Sequence, residues 1–85
     1  MGRARIGRPR DLSKKLLKIR QALGLSQNGL IAAFGMAGSL TQSEISAFEQ
    51  GKRLPPLLVL LRYARAFNVH VDDLIDDEID LSFRD

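Results

Sequence analysis

The chain has 85 residues, enough for one domain, and at this length only about 60–65% of the unfolded surface is buried on folding. A large enclosed active site does not fit such a body, and self-association would add stability as well as function. With no cysteine and one histidine there is neither a disulfide framework nor a thiolate or histidine-rich metal site, and no cofactor is expected.

The net charge of +3 conceals an asymmetry. Residues 1–20 hold eight Lys/Arg against Asp11 alone, while residues 72–85 hold seven Asp/Glu against Arg84. That layout predicts a polyanion at one end of the molecule and not the other. No apolar run approaches the roughly 18 residues of a membrane span. The charged N-terminus lacks a following apolar segment, so it does not read as a secretory signal, and a reducing, cytoplasmic setting is expected.

Residues 1–10 read as a basic flexible arm rich in Gly and Arg. The first helix is predicted from Leu12 to Leu23, capped by Asp11, with Leu12, Leu16, Ile19 and Leu23 on one face and Gly24 as its stop. Ser26 is a good N-cap for a second short helix, in which Leu30, Ile31 and Phe34 share an apolar face. Thr41-Gln-Ser-Glu44 has the spacing of a capping box and opens a third helix, with Ile45 and Phe48 inward and Gly51 as a left-handed stop. Pro55-Pro56 places prolines in the first turn of a fourth helix, whose stripe is Leu57, Leu60, Leu61, Ala64 and Phe67. Asn68 is its left-handed end, and Val71 to Ile75 forms one further helical turn with His70 at its cap. Residues 76–85 form an acidic C-terminal extension. It reads as a helix extension, an edge strand or a tail, and from Ile79 it alternates apolar and polar residues, the pattern of a short edge strand. The expected architecture is therefore all-α, a bundle of five short helices, with the main domain over residues 11–75.

The third helix leaves Gln42, Ser43, Ser46 and Ala47 on its outer face. These are short or amide side chains, of the size and chemistry that reach base edges in a major groove. The segment from Ser26 to Pro55 resembles the DNA-binding domain of phage-repressor and Cro-type regulators, the Xre-like helix-turn-helix family. Ser26-Gln27, Thr41-Gln42 through Ile45-Ser46, then Phe48-Glu49-Gln50-Gly51-Lys52-Arg53 and Pro55 carry the resemblance, which continues through Leu57 to Ile75. The chain departs from the family pattern at three places. The turn contains four extra residues, Met36 to Ser39. Gly29 stands where a capping glutamate is usual, and Ile31 where an alanine is usual.

The resemblance implies that the third helix lies in the major groove of duplex DNA, with Gln42, Ser43 and Ala47 as base-contact candidates. Glutamine pairs with an adenine edge, whereas Ala47 offers only methyl contact to thymine. Gln27, beside the free N–H groups of a helix N-terminus, is a phosphate-contact candidate, as are Lys52 and Arg53 after the stop. Glu49 is expected to cap nearby backbone N–H groups. Arg8 and Arg10 of the arm join the phosphate set. Gly7-Arg8-Pro9 is similar to the core of an AT-hook, but non-specific phosphate binding is the better reading of the arm.

The function expected is sequence-selective transcription regulation, as a homodimer on a palindromic operator. No catalytic constellation or membrane role is visible. The alternative is an antitoxin-like interaction module that holds a protein partner through its acidic C-terminal end.

Overall fold

A computed structural model describes residues 9–81. They form α1 (Leu12–Leu23), α2 (Gln27–Phe34), α3 (Gln42–Glu49), α4 (Leu57–Phe67) and α5 (Val71–Ile75), the five helices the sequence predicts. Among these residues there is no strand, only a single bridge between Ala37 and Leu40. Ile79 to Leu81 is irregular, so the edge strand expected to begin there does not form as far as residue 81. Arg8, most of the hook-like tripeptide and Phe83 lie outside the described residues.

The core is shared by all five helices. Leu16 and Ile19 of α1, Leu30 of α2, Ile45 and Phe48 of α3, Tyr63 of α4 and Leu74 of α5 are almost wholly buried. Phe34 meets Tyr63 edge to face, with ring centroids 5.0 Å apart and planes at 76°, a geometry favoured by the ring quadrupoles. Burial, with the nearby Glu49 carboxylate adding to it, pushes the Tyr63 hydroxyl well above its ordinary pKa. Among the described residues that hydroxyl has no hydrogen-bond partner.

The extended turn between α2 and α3 is ordered from within. Gly35 ends α2 in a left-handed conformation, and the Met36 carbonyl accepts from both Ser39 and Leu40 N–H, at 2.9 and 3.0 Å. Met36 packs against the core and Leu40 is buried in it, so both ends of the added residues are pinned. At the other end of α3, Gly51 has φ +74°, which only glycine adopts without strain. A Cβ there would lie at ordinary contact distance from Ser13, so the requirement comes from the backbone and not from space.

Helix α4 differs from expectation in its rotation. The buried residues are Val59, Leu60, Tyr63 and Ala64, while Leu57 is 76% exposed and Leu58 69% exposed. Burying the aromatic pair Phe34 and Tyr63 brings Tyr63 to the centre of the inward face and turns Leu57 out. The helix also begins after both prolines and not with them. Pro56 is its extended N-cap, with ψ 157°, and the first helical residue is Leu57.

Asp11 occupies the N-cap position of α1, yet its side chain makes no capping bond. The carboxylate of Asp77 instead anchors the residues that lead into the helix, accepting from the N–H groups of Arg10 at 2.9 Å and Asp11 at 3.0 Å. Lys15 is 6% exposed, and its Nζ donates to the carbonyls of Asp73 at 2.8 Å and Asp76 at 2.9 Å. These oxygens stand at the end of α5, where no helical N–H reaches them. Leu81 closes the contact by entering the core. Residues 76–81 are therefore folded against α1.

Two measurements check this account. The N–H groups of Arg10 and Asp11 hold the Asp77 carboxyl below its ordinary value of 3.8. Its stabilisation is thus fully present above that value and is lost as pH falls through the lower folded one. The thermal midpoint of Asp77→Asn is expected to lie below the parent at neutral pH and to converge on it as pH is taken from about 5 to about 2. Separately, Tyr63→Phe removes a buried hydroxyl without removing a hydrogen bond. Urea unfolding is expected to show no loss, or a gain of up to about 1 kcal/mol, whereas a partnered hydroxyl would show a loss of about 1 kcal/mol or more.

Candidate nucleic-acid interface

Helix α3 is fixed at both ends before any side chain is presented. Thr41 Oγ1 accepts from Glu44 N–H at 3.2 Å, and Glu44 Oε1 accepts from Thr41 N–H at 3.0 Å, the reciprocal capping box. The other Glu44 oxygen lies 3.5 Å from an Arg53 guanidinium nitrogen, so Arg53 reaches back from beyond the helix end. Ile45 and Phe48 hold the inner face, and the opposite face carries Gln42, Ser43, Ser46, Ala47 and Gln50.

Behind this face lies an ion pair. Arg20 of α1 donates Nε to Glu49 Oε2 at 2.6 Å and Nη2 to Glu49 Oε1 at 3.0 Å, and its Nη1 donates to the Leu25 carbonyl. The two side chains are 17% and 6% exposed, so this is a largely desolvated, bidentate contact. The hydrogen bonds it donates to Glu49 raise the Arg20 guanidinium above its ordinary pKa, with burial opposing them. The expectation that Glu49 caps backbone N–H groups is corrected here, because its partners are the side chains of Arg20 and Gln27.

The pair orients two amides in series. Gln27 Nε2 donates to Glu49 Oε1 at 3.0 Å, and Gln42 Nε2 donates to Gln27 Oε1 at 3.2 Å. A carboxylate only accepts, so Gln27 must turn its nitrogen inward and its oxygen outward, which in turn takes one N–H of Gln42. Gln42 is left with one N–H and its carbonyl oxygen at the surface. Gln27 keeps its second N–H, next to the N-terminus of α2, where Ser26 Oγ accepts only from Gly29 N–H, at 2.9 Å. A Cβ at position 29 would stand 3.1 Å from that oxygen, so glycine accommodates the cap but supplies no reciprocal carboxylate.

The structure brings Gln27, Gln42, Ser43, Ala47 and Lys52 together along one shallow groove, and adds Ser46 and Gln50 to them. Gln50 Nε2 donates to Ser46 Oγ at 2.8 Å. Gln50 follows Ser43 by seven residues and so shares its face. The helical period marks this position even though it stands next to the Gly51 stop. Arg53 and Arg10 are set apart from this groove, lining a neighbouring one with Gly51, Leu54 and Pro55. Arg10 also lies 3.5 Å from the Asp77 carboxylate while remaining 79% exposed.

Comparison with family models supplies the decisive observation. A helix-turn-helix model matches residues 16–74, which include every helix just described except the first turn of α1 and the last residue of α5. The chain belongs to the Xre/Cro-like helix-turn-helix family. No individual curated protein matches it. Membership in this helix-turn-helix family makes it a DNA-binding transcription regulator in general terms. Among the described residues, no helix is long and apolar enough to cross a membrane.

Because the Arg20–Glu49 pair is buried, removing one partner strands the other charge. Glu49→Ala is expected to cost about 3–5 kcal/mol in denaturant unfolding, and pairing it with Arg20→Met to recover much of that loss. If the double variant is as unstable as the sum of the singles, the pair is not the coupled unit described.

Proposed function

We propose that this protein is a sequence-selective transcription regulator that lays α3 in the major groove and works as a homodimer on a palindromic operator. Gln42, Ser43 and Ala47 read base edges, while Gln27, Lys52, Arg53, Arg10 and Arg8 contact phosphates. The observation that carries this reading is the chain of hydrogen bonds from Arg20 through Glu49 and Gln27 to Gln42. It leaves Gln42 with one donor and one acceptor side by side at the start of the helix. Adenine presents N7 as acceptor and N6–H as donor in the major groove, the complement of that arrangement.

Gln27 serves both partners. Its oxygen is committed to Gln42, and its remaining N–H, with the unpaired backbone N–H groups of the first turn of α2, suits a phosphate oxygen. Binding of that phosphate ties the register of the backbone to the orientation of the base-reading amide. Ser43 offers a hydroxyl and Ala47 a methyl, so few hydrogen bonds discriminate bases and DNA shape contributes to selectivity. A recognition helix of eight residues reaches only a few base pairs. Two copies on half-sites one DNA turn apart supply the affinity that one copy lacks.

The test is titration of duplex DNA at several salt concentrations, after selection of the preferred site from random sequences. If about six phosphates are neutralised, log K is expected to fall with log salt concentration with a slope of roughly −5. Gln42→Ala is expected to cost about 1–3 kcal/mol on the preferred site and to relax base preference there. Lys52→Ala is expected to weaken all sequences alike and flatten the slope by about one unit. A flat salt response overturns DNA binding, and an equal loss by Gln42→Ala on random DNA overturns its role as reader.

A further inference from the structure

Among the described residues the large exposed apolar side chains are Leu54, Leu57, Leu58 and Ile75. The first three belong to the segment that leaves α3 and the first turn of α4, and the fourth ends α5. The helical period places Leu58, Arg62 and Arg65 in one stripe, at i, i+4 and i+7, directly opposite the buried Leu60 and Tyr63. Leu57 and the half-buried Leu61 flank it. The outer face of α4 is therefore apolar at its N-terminal half and basic at its C-terminal half. On α5 the exposed Ile75 stands between the exposed acids Asp72 and Asp76. Among the described residues neither Arg62, Arg65 nor Asp72 has an ion-pair partner within the molecule, whereas Arg10, Arg20 and Arg53 each have one.

Resting on the homodimer reading above, we infer that the outer face of α4, Leu57 and Leu58 with Arg62 and Arg65, is the self-association surface and receives Ile75 and Asp72 of a second copy. The charge pattern selects this occupant. A basic, apolar face and an acidic, apolar helix end are both present on the same chain, and a two-fold axis lets each copy offer both at once. Direct contact of two α4 faces would instead bring four arginines together. A patch of four apolar side chains is small beside the roughly 800 Å² per partner of a standard stable interface. The free dimer is accordingly expected to be weak, with a dissociation constant of about 1–100 μM. Its place also fits the proposed activity, since Leu54 and Leu57 follow Lys52 and Arg53 directly. Pairing there keeps the two copies' phosphate contacts near one axis.

The test is sedimentation of the full chain without DNA across that concentration range, with thermal melts to confirm that each variant is folded. The parent is expected to dimerise, and Leu58→Glu to raise the dissociation constant at least about tenfold while keeping its melt. A dimer that Leu58→Glu leaves unchanged overturns the surface. A parent that stays monomeric at every concentration overturns the second copy as occupant and leaves the face to a different protein.

Charge exchange tests the pairing of α4 with α5. A chain carrying Arg62→Glu and Arg65→Glu, and another carrying Asp72→Arg, are each expected to lose self-association, because like charges then meet. Mixed, they are expected to form a heterodimer in which every contact is again opposite in sign. Absence of that heterodimer overturns the pairing. Binding of each variant to non-specific duplex DNA, measured in parallel, separates this surface from the DNA reading. A monomeric Leu58→Glu that keeps its salt-dependent binding upholds both, and loss of DNA binding by a parent that still dimerises would overturn only the latter.

Discussion

The carboxylate of Glu49 would be an isolated charge at the edge of the core if Arg20 did not reach it from α1. Such a charge costs several kcal/mol unless it is paired and hydrogen-bonded, so the two residues constrain the helices that carry them. Their contact joins the end of α1 to the end of α3, and Arg20 also holds the Leu25 carbonyl in the loop that leads to α2. Three helices are thereby referenced to one guanidinium. Because the carboxylate accepts and never donates, the same contact dictates which way the amide of Gln27 points, and through it the amide of Gln42. A surface property, the donor and acceptor pattern of one exposed side chain, is set by a buried electrostatic requirement.

This arrangement also explains how charge is distributed. Counted by residue, the first 20 positions form a strongly basic stretch. In the folded chain Arg20 is spent on Glu49, Lys15 on two carbonyls at the end of α5, and part of Arg10 on Asp77. Among the described residues the exposed positive charge is therefore spread over several elements, at Lys14 of α1, at Lys52 and Arg53 after α3, the latter beside Glu44, and at Arg62 and Arg65 of α4. The acidic residues are divided in the same way. Asp77 holds the N–H groups that lead into α1 and Asp73 accepts from His70 N–H at 2.9 Å, while Asp72 is exposed and has no ion-pair partner among the described residues.

The rotation of α4 links packing to surface chemistry. Tyr63 is the largest side chain buried in the molecule, and its ring is held edge-on against Phe34. Placing that ring at the centre of the inward face moves Val59 in and Leu57 and Leu58 out. The apolar area that hydropathy would assign to the core is thus partly on the surface. The leucines left exposed beside arginines make up the face to which self-association is assigned.

Helix positions, caps and stops were legible in the sequence because they depend on neighbours within a few residues. Thr41 and Glu44, Gly51, and Asn68 act through local hydrogen bonds and backbone sterics, and both ends of α3 and the end of α4 followed from them, as the start of α2 did from Ser26 and the end of α1 from Gly24. The outer face of α3 was legible for the same reason, since helical period alone separates Gln42, Ser43 and Ala47 from Ile45 and Phe48. Other features were decided only by tertiary structure, because their partners lie far apart in the chain. Asp77 holds the N–H of Asp11 from 66 residues away, Lys15 meets α5, and Arg20 meets Glu49 across 29 residues. The face that α4 turns inward belongs to this group. Its sequence offers two adjacent apolar stripes, and the choice between them is made by Phe34, a residue on another helix.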